Sequence, residues 1–99
     1  MIKAVCMFKL ADNVDEEEFE KFFSKHVEDA KKLKNLKKYT ISKRVSGDRD
    51  YYRINELYYD KIEDAEESFS TNLAKQGTEE LMRWVKDFKC IITEEKNIV

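Results

Sequence analysis

One helical stripe constrains the fold more than any other feature of the chain. Phe19, Phe22, Phe23, His26, Val27, Ala30 and Leu33 recur at helical spacing without a break, so the apolar residues fall on one side of a helix. Asp15 and Glu18 form a capping-box-like pair at its start, and Glu16 and Glu17 suit the positive end of a helix dipole. Asn35 is the expected stop, because asparagine tolerates the left-handed conformation. The pattern predicts a helix of roughly 19 residues, ~28 Å long at the standard rise.

The flanking segments read as strands. Residues 2–10 alternate, with Ile2, Ala4, Cys6, Phe8 and Leu10 on a wholly apolar face and Lys3, Val5, Met7 and Lys9 on a semi-apolar one. Tyr39 to Val45 and residues 51–59 are expected to form a hairpin around Ser46-Gly47-Asp48-Arg49-Asp50. In that third strand Ile54, Glu56 and Tyr58 share one face, which we assign to the helices. Arg53, Asn55, Leu57 and Tyr59 share the other. Helical spacing returns at Ile62, Ala65 and Phe69; a break is expected between Thr71 and Gly77, and Thr78 is expected to cap a further helix carrying Leu81, Trp84, Val85 and Phe88. A last strand follows at about Lys89 to Glu95.

The order strand, helix, strand, strand, helix, strand predicts an α+β, ferredoxin-like βαββαβ fold. Its four-stranded antiparallel sheet has order 4-1-3-2, with helices on one face. The uncovered face is expected to carry Val5, Met7, Leu57 and Tyr59. An apolar face of that size calls for a second sheet, and a homodimer packed through the open face is the simplest supply.

Composition bounds the function. The 99 residues suit one domain, 1–99. Twelve per cent aromatic residues argue against disorder, and no apolar run is long enough for a membrane span. Lys3 and Lys9 interrupt the opening segment, which therefore lacks a signal-peptide apolar region, and the two cysteines, Cys6 and Cys90, read as reduced core thiols. A cytoplasmic protein is expected. There is no Cys/His cluster for a metal, and no glycine-rich phosphate loop or dinucleotide fingerprint, so no cofactor is predicted. The basic run Lys31-Lys32-Leu33-Lys34-Asn35-Leu36-Lys37-Lys38 begins where cations favour a helix C-terminus, and with a net charge of −2 it does not indicate nucleic acid. RNA-recognition domains share the element order, but the third strand here lacks glycine and the semi-apolar face of the first lacks an aromatic.

Several passages are similar to one family. These are Met1-Ile2-Lys3-Ala4-Val5 through Lys9; Glu17-Glu18-Phe19 with His26; Leu33-Lys34-Asn35-Leu36-Lys37-Lys38-Tyr39; and Tyr52-Arg53-Ile54-Asn55-Glu56-Leu57-Tyr58-Tyr59-Asp60. In order and spacing the chain resembles an EthD-like member of the dimeric α/β-barrel superfamily. It departs from the family pattern at Glu28, where proline is usual, at Lys34-Asn35, where Pro-Gly is usual, and at Tyr58, often Trp. The resemblance implies a homodimer whose two sheets form a barrel, with a cavity between sheet and helices in each subunit. Relatives include cofactor-free monooxygenases, lactone isomerases, polyketide cyclases and haem enzymes, so it implies no single chemistry. For haem, His26 is the only imidazole available.

The candidate catalytic set is His26, Glu56 and Tyr58, an imidazole, a carboxylate and a phenol suited to moving a proton on an enolisable carbonyl or aromatic substrate. The alternative is a satisfied polar network within the core. Tyr39, Trp84 and Phe88 are candidate walls for a small apolar or aromatic ligand, or else ordinary core aromatics. The leading expectation is a small-molecule-binding homodimer that acts without a cofactor; the alternative is a non-catalytic binding or structural dimer with a filled core.

Overall fold

A computed structural model of the chain describes residues 1–47 and 51–99. Its elements are β1 (Ile2–Leu10), α1 (Glu16–Ala30), β2 (Lys38–Lys43), β3 (Arg53–Tyr59), α2 (Ile62–Phe69), α3 (Asn72–Met82) and β4 (Val85–Glu94). The strands form one antiparallel sheet in the order β2-β3-β1-β4, which is the expected 4-1-3-2 read from the other edge. The β2–β3 hairpin forms as expected; Asp48, Arg49 and Asp50 of its turn lie outside the described residues.

Capping at the start of α1 follows the sequence. The Asp15 carboxylate accepts a hydrogen bond from the Glu18 backbone N–H at 3.0 Å. The helix is shorter than expected and ends at Ala30. Asn35 does adopt a left-handed conformation, φ 66°, and its Nδ2 donates to the Asp64 carbonyl at 3.2 Å. It therefore ties the turn after α1 to the start of α2, and that turn still delivers Leu33 to the core.

The second helical region breaks earlier than its composition suggests. Thr71, not Thr78, is the cap: its Oγ1 accepts from the Ala74 N–H at 3.2 Å. Thr78 lies within α3 and donates to the Ala74 carbonyl at 3.0 Å. Gly77 is carried inside the helix rather than ending it. At the far end, α3 stops at Met82, so neither Trp84 nor Phe88 is helical as expected. β4 starts at Val85 and contains a bulge between the partners of Met7 and Lys9, with Asp87 at φ 51°. The extra residue shifts the alternation of side chains. It brings Phe88 to the helix side together with Cys90, and it hides the strand from a reading based on strict alternation.

Register assigns the faces. Ala4, Cys6 and Phe8 are buried beneath the helices. They pair with Leu57, Asn55 and Arg53, while Ile2 pairs with Tyr59. Directly paired residues share a face. Leu57 and Tyr59 are therefore core residues, at 7% and 0% exposure, and not part of the open face. Glu56 and Tyr58 are on the open face, opposite the helices, which reverses the expected assignment. The cause is a third strand that is aromatic or apolar on both sides. Alternation alone cannot orient such a strand, and a one-residue shift in parity exchanges every side chain.

The open face carries Val5, Met7, Ile54, Tyr58 and Ile91, and Ile91 is 61% exposed. Toward one end of this face lies a polar line. Lys3 Nζ meets Glu56 Oε2 at 2.7 Å and Glu95 Oε2 at 3.1 Å, and the Tyr58 hydroxyl donates to Glu56 Oε2 at 3.2 Å. Lys3 and Lys38 also approach the Tyr58 ring, at 5.6 and 5.0 Å. Among the described residues, no helix is long and apolar enough to cross a membrane.

Candidate functional site

The layer between sheet and helices has two parts. One is an aromatic cluster in which Phe8, Phe19 and Phe23 are almost fully buried with Leu81 and Val85. Its rings interlock edge-on and stacked, with centroids 5.3–6.1 Å apart for the three phenylalanines. Trp84, partly buried, stacks on Phe22 at 5.3 Å and packs against this cluster. The second part is built on Ala4, Cys6, Leu57, Tyr59 and Ala65.

A cavity of about 220 Å³ adjoins this second part. The sheet supplies Cys6, Tyr39, Asn55, Leu57 and Phe88. His26, Ala30 and Leu33 close it from α1 and the following turn, and Phe69, Ala74, Gly77 and Leu81 from α2 and α3. Of the six residues singled out from sequence, His26, Tyr39 and Phe88 border it. Trp84, Glu56 and Tyr58 do not. The proposed imidazole–carboxylate–phenol set is thus divided by the sheet, with His26 on one side and Glu56 and Tyr58 on the other.

His26 sits at the junction of the two parts. Its ring stacks on Phe23 and leans on Phe22, both at 5.7 Å between centroids. Gly77 leaves the space beside it: a Cβ added there would lie 3.6 Å from His26 Cε1. Burial pushes the His26 pKa below its ordinary value, against the opposing charges of Glu80 and Asp29. The imidazole is therefore neutral at pH 7 and able to accept a proton. Burial pushes the Tyr39 hydroxyl up to about 12, so it remains a proton-bearing donor.

Asn55 was missed by the sequence reading. It is 4% exposed, it borders the cavity, and its Oδ1 is buried without a hydrogen-bond partner among the described residues. A buried unpartnered acceptor costs about 1–3 kcal/mol, and buried polar groups are rarely left so. The signal that could have found it was register: Asn55 pairs with Cys6 of the apolar β1 face. Gly77, read as a break, was likewise missed as the residue that makes room for His26.

On the open face, the Lys3 ammonium hydrogen-bonded to Glu56 holds that carboxyl below the usual range. Glu56 is thus a paired anion rather than an acid poised for proton transfer. Among the described residues there is no cluster of three or more His, Cys, Asp or Glu arranged to hold a metal ion.

No protein-family model matches the chain, and no curated protein matches it in sequence. Solved structures do. An EthD family protein from Bacillus halodurans is similar over 97% of this chain and 99% of its own, with TM-score 0.84 and 22% identity. A protein from Bacteroides fragilis, described as dimeric, of unknown function and ferredoxin-like, is similar over 95% of each chain, with TM-score 0.77 and 16% identity. A variant of SnoaB, a cofactor-independent oxygenase from Streptomyces nogalater, is similar over 99% of this chain and 95% of its own, with TM-score 0.77 and 10% identity. These likenesses establish the ferredoxin-like fold.

Proposed function

We propose that the protein is an EthD-like homodimer that binds a small, mostly apolar molecule carrying a hydroxyl, and that His26 exchanges a proton with it. One observation supports this reading: Asn55, whose buried Oδ1 has no partner among the described residues, borders the same cavity as His26, whose burial keeps its imidazole neutral. A ligand hydroxyl would supply the missing donor. The cavity volume of about 220 Å³ exceeds the ~150 Å³ that accommodates benzene in an engineered core. A single substituted aromatic ring therefore sets the scale of the ligand.

The chemistry open to these groups is proton transfer. The ring of the ligand lies against Leu57, Leu33 and Phe88, and its hydroxyl donates to Asn55. His26 takes a proton from an acidic O–H, or from a C–H beside a carbonyl, and the Tyr39 hydroxyl donates to the oxyanion that develops. Imidazole, phenol and amide suffice for this step, which is consistent with the cofactor-independent oxygenase activity described for SnoaB.

The homodimer rests on the open face. Ile91, Val5, Met7 and Ile54 form an apolar surface interrupted by the Lys3–Glu56–Tyr58 line, and a second copy would cover it. The similar protein from Bacteroides fragilis is described as dimeric.

Phenol is the probe for the cavity. Calorimetric titration of the wild type is expected to show saturable binding of one phenol per chain. Asn55→Leu, which keeps the branching of the side chain and removes the acceptor, is expected to weaken it at least tenfold, the equivalent of ~1.4 kcal/mol. Equal binding by both proteins would contradict the reading. Sedimentation at micromolar concentration is expected to give a dimer for the wild type and a monomer for Val5→Glu; a wild-type monomer would remove the dimer from the account.

A further inference from the structure

Two thiols stand outside the proposed chemistry. Cys6, near the middle of β1, and Cys90, in β4, are directly paired across the antiparallel ladder. Both lie on the helix side of the sheet. Cys6 is buried at 9% exposure, whereas Cys90, on the edge strand β4, is exposed.

The type of pair follows from the hydrogen bonds at the strand end. Met1 and Glu95 exchange both backbone bonds, the Glu95 N–H donating to Met1 at 2.8 Å and the Met1 amine to Glu95 at 3.4 Å. Such narrow pairs alternate with wide ones along an antiparallel ladder. Counting inward from Met1–Glu95, the Cys6–Cys90 pair falls on a position without backbone hydrogen bonds, and the β4 bulge begins only beyond Met7. At such positions the Cα atoms are about 4.5 Å apart and the side chains are close, within the ~4.4–6.8 Å span of disulfides.

We propose that Cys6 and Cys90 form a redox-active dithiol that exchanges with small disulfides of the glutathione type, Cys90 being the attacking sulfur and Cys6 the resolving one. The division of roles follows from access: Cys90 is exposed and Cys6 is buried. The electrostatics agree. The Cys6 thiol, hydrogen-bonded to Cys90, pulls the Cys90 pKa down, and the same bond followed by burial pushes Cys6 up. The Cys90 thiolate attacks one sulfur of glutathione disulfide. That S–S bond breaks, a Cys90–glutathione bond forms, and a glutathione thiolate leaves to take a proton from water. Cys6 then gives its proton to solvent and attacks the Cys90 sulfur, releasing the second glutathione. Two protein thiols are oxidised and one glutathione disulfide is reduced to two thiols. Cys6 also borders the cavity, so the link joins a cavity-lining residue to an exposed one. The dimer proposed above covers the opposite sheet face and leaves Cys90 accessible.

The test is anaerobic incubation of reduced protein with glutathione disulfide, followed by acid quenching, thiol titration, intact mass and non-reducing peptide mapping. The expected wild-type result is loss of both thiols, a chain lighter by two hydrogens, and joined Cys6 and Cys90 peptides. Cys6→Ser is expected to hold glutathione on Cys90, and Cys90→Ser to remain unmodified. A stable glutathione adduct on wild-type Cys90, a Cys90–Cys90 link between chains, or survival of both thiols would each overturn the proposal. The wild-type map decides the matter even if a variant fails to fold.

Discussion

The two halves of the layer between sheet and helices use the same elements and reach opposite outcomes. Around Phe8 the facing side chains are Phe19, Phe23, Leu81 and Val85, and the rings fill the space. Around Cys6 the helical layer contributes Ala30, Ala74 and Gly77 beside Leu33 and Phe69, and about 220 Å³ remains open. Small helix residues leave room in one half that rings fill in the other. His26 stands on the boundary, stacked on the filled half and open to the other.

The largest expected effect is in the filled half. Phe19→Ala deletes a fully buried ring that contacts Phe8, Phe23 and Trp84 and should cost about 3–5 kcal/mol in denaturant unfolding. The opposite sign is expected in the open half. Asn55→Leu removes the partnerless acceptor and should raise stability by about 1–3 kcal/mol, even as it weakens phenol binding. A destabilised Asn55→Leu would mean that the asparagine serves the fold, not a ligand. Smaller again is Gly77→Ala. The new methyl meets His26 at an ordinary contact distance of 3.6 Å, and replacing a glycine inside a helix should stabilise by about 0.5–1 kcal/mol. It should also narrow the cavity, so the same variant is expected to bind phenol less well. A loss of stability would show that the space beside His26 is smaller than described.

The smallest effect is electrostatic. His26 has a folded-state pKa below its ordinary value, so at acid pH the unfolded chain binds a proton that the folded chain refuses. Stability from this residue is complete above the unfolded pKa, near 6.5, and declines as pH falls through it toward the lower folded value. Urea unfolding between pH 7 and pH 5 should therefore show a fall that His26→Phe reduces. An identical pH slope in both proteins would place His26 in an environment like water.

Much of this was legible in the sequence. The α1 stripe fixed the helix, Asp15 its start and Asn35 the left-handed turn after it, and the element order gave the sheet topology. What could not be read was parity. β3 is apolar or aromatic on both sides, so nothing local said whether Asn55 or Glu56 faces the helices; pairing with Ala4 and Cys6 decides it. The bulge at Asp87 had the same effect on β4, displacing Phe88 from the expected helix to a strand facing inward. His26, on a strongly periodic helix, could be assigned to the inward face, and it borders the cavity. Glu56 and Tyr58, on a strand without a polar face, were not.

The most direct measurement uses the fact that His26 is the only histidine, so its imidazole carbon–proton NMR signal assigns itself. The account predicts a titration midpoint below the ordinary histidine value in the free protein, and a saturable shift of that signal when phenol is added at pH 7. A midpoint at the ordinary value, with a signal that does not move at saturating phenol, would contradict it.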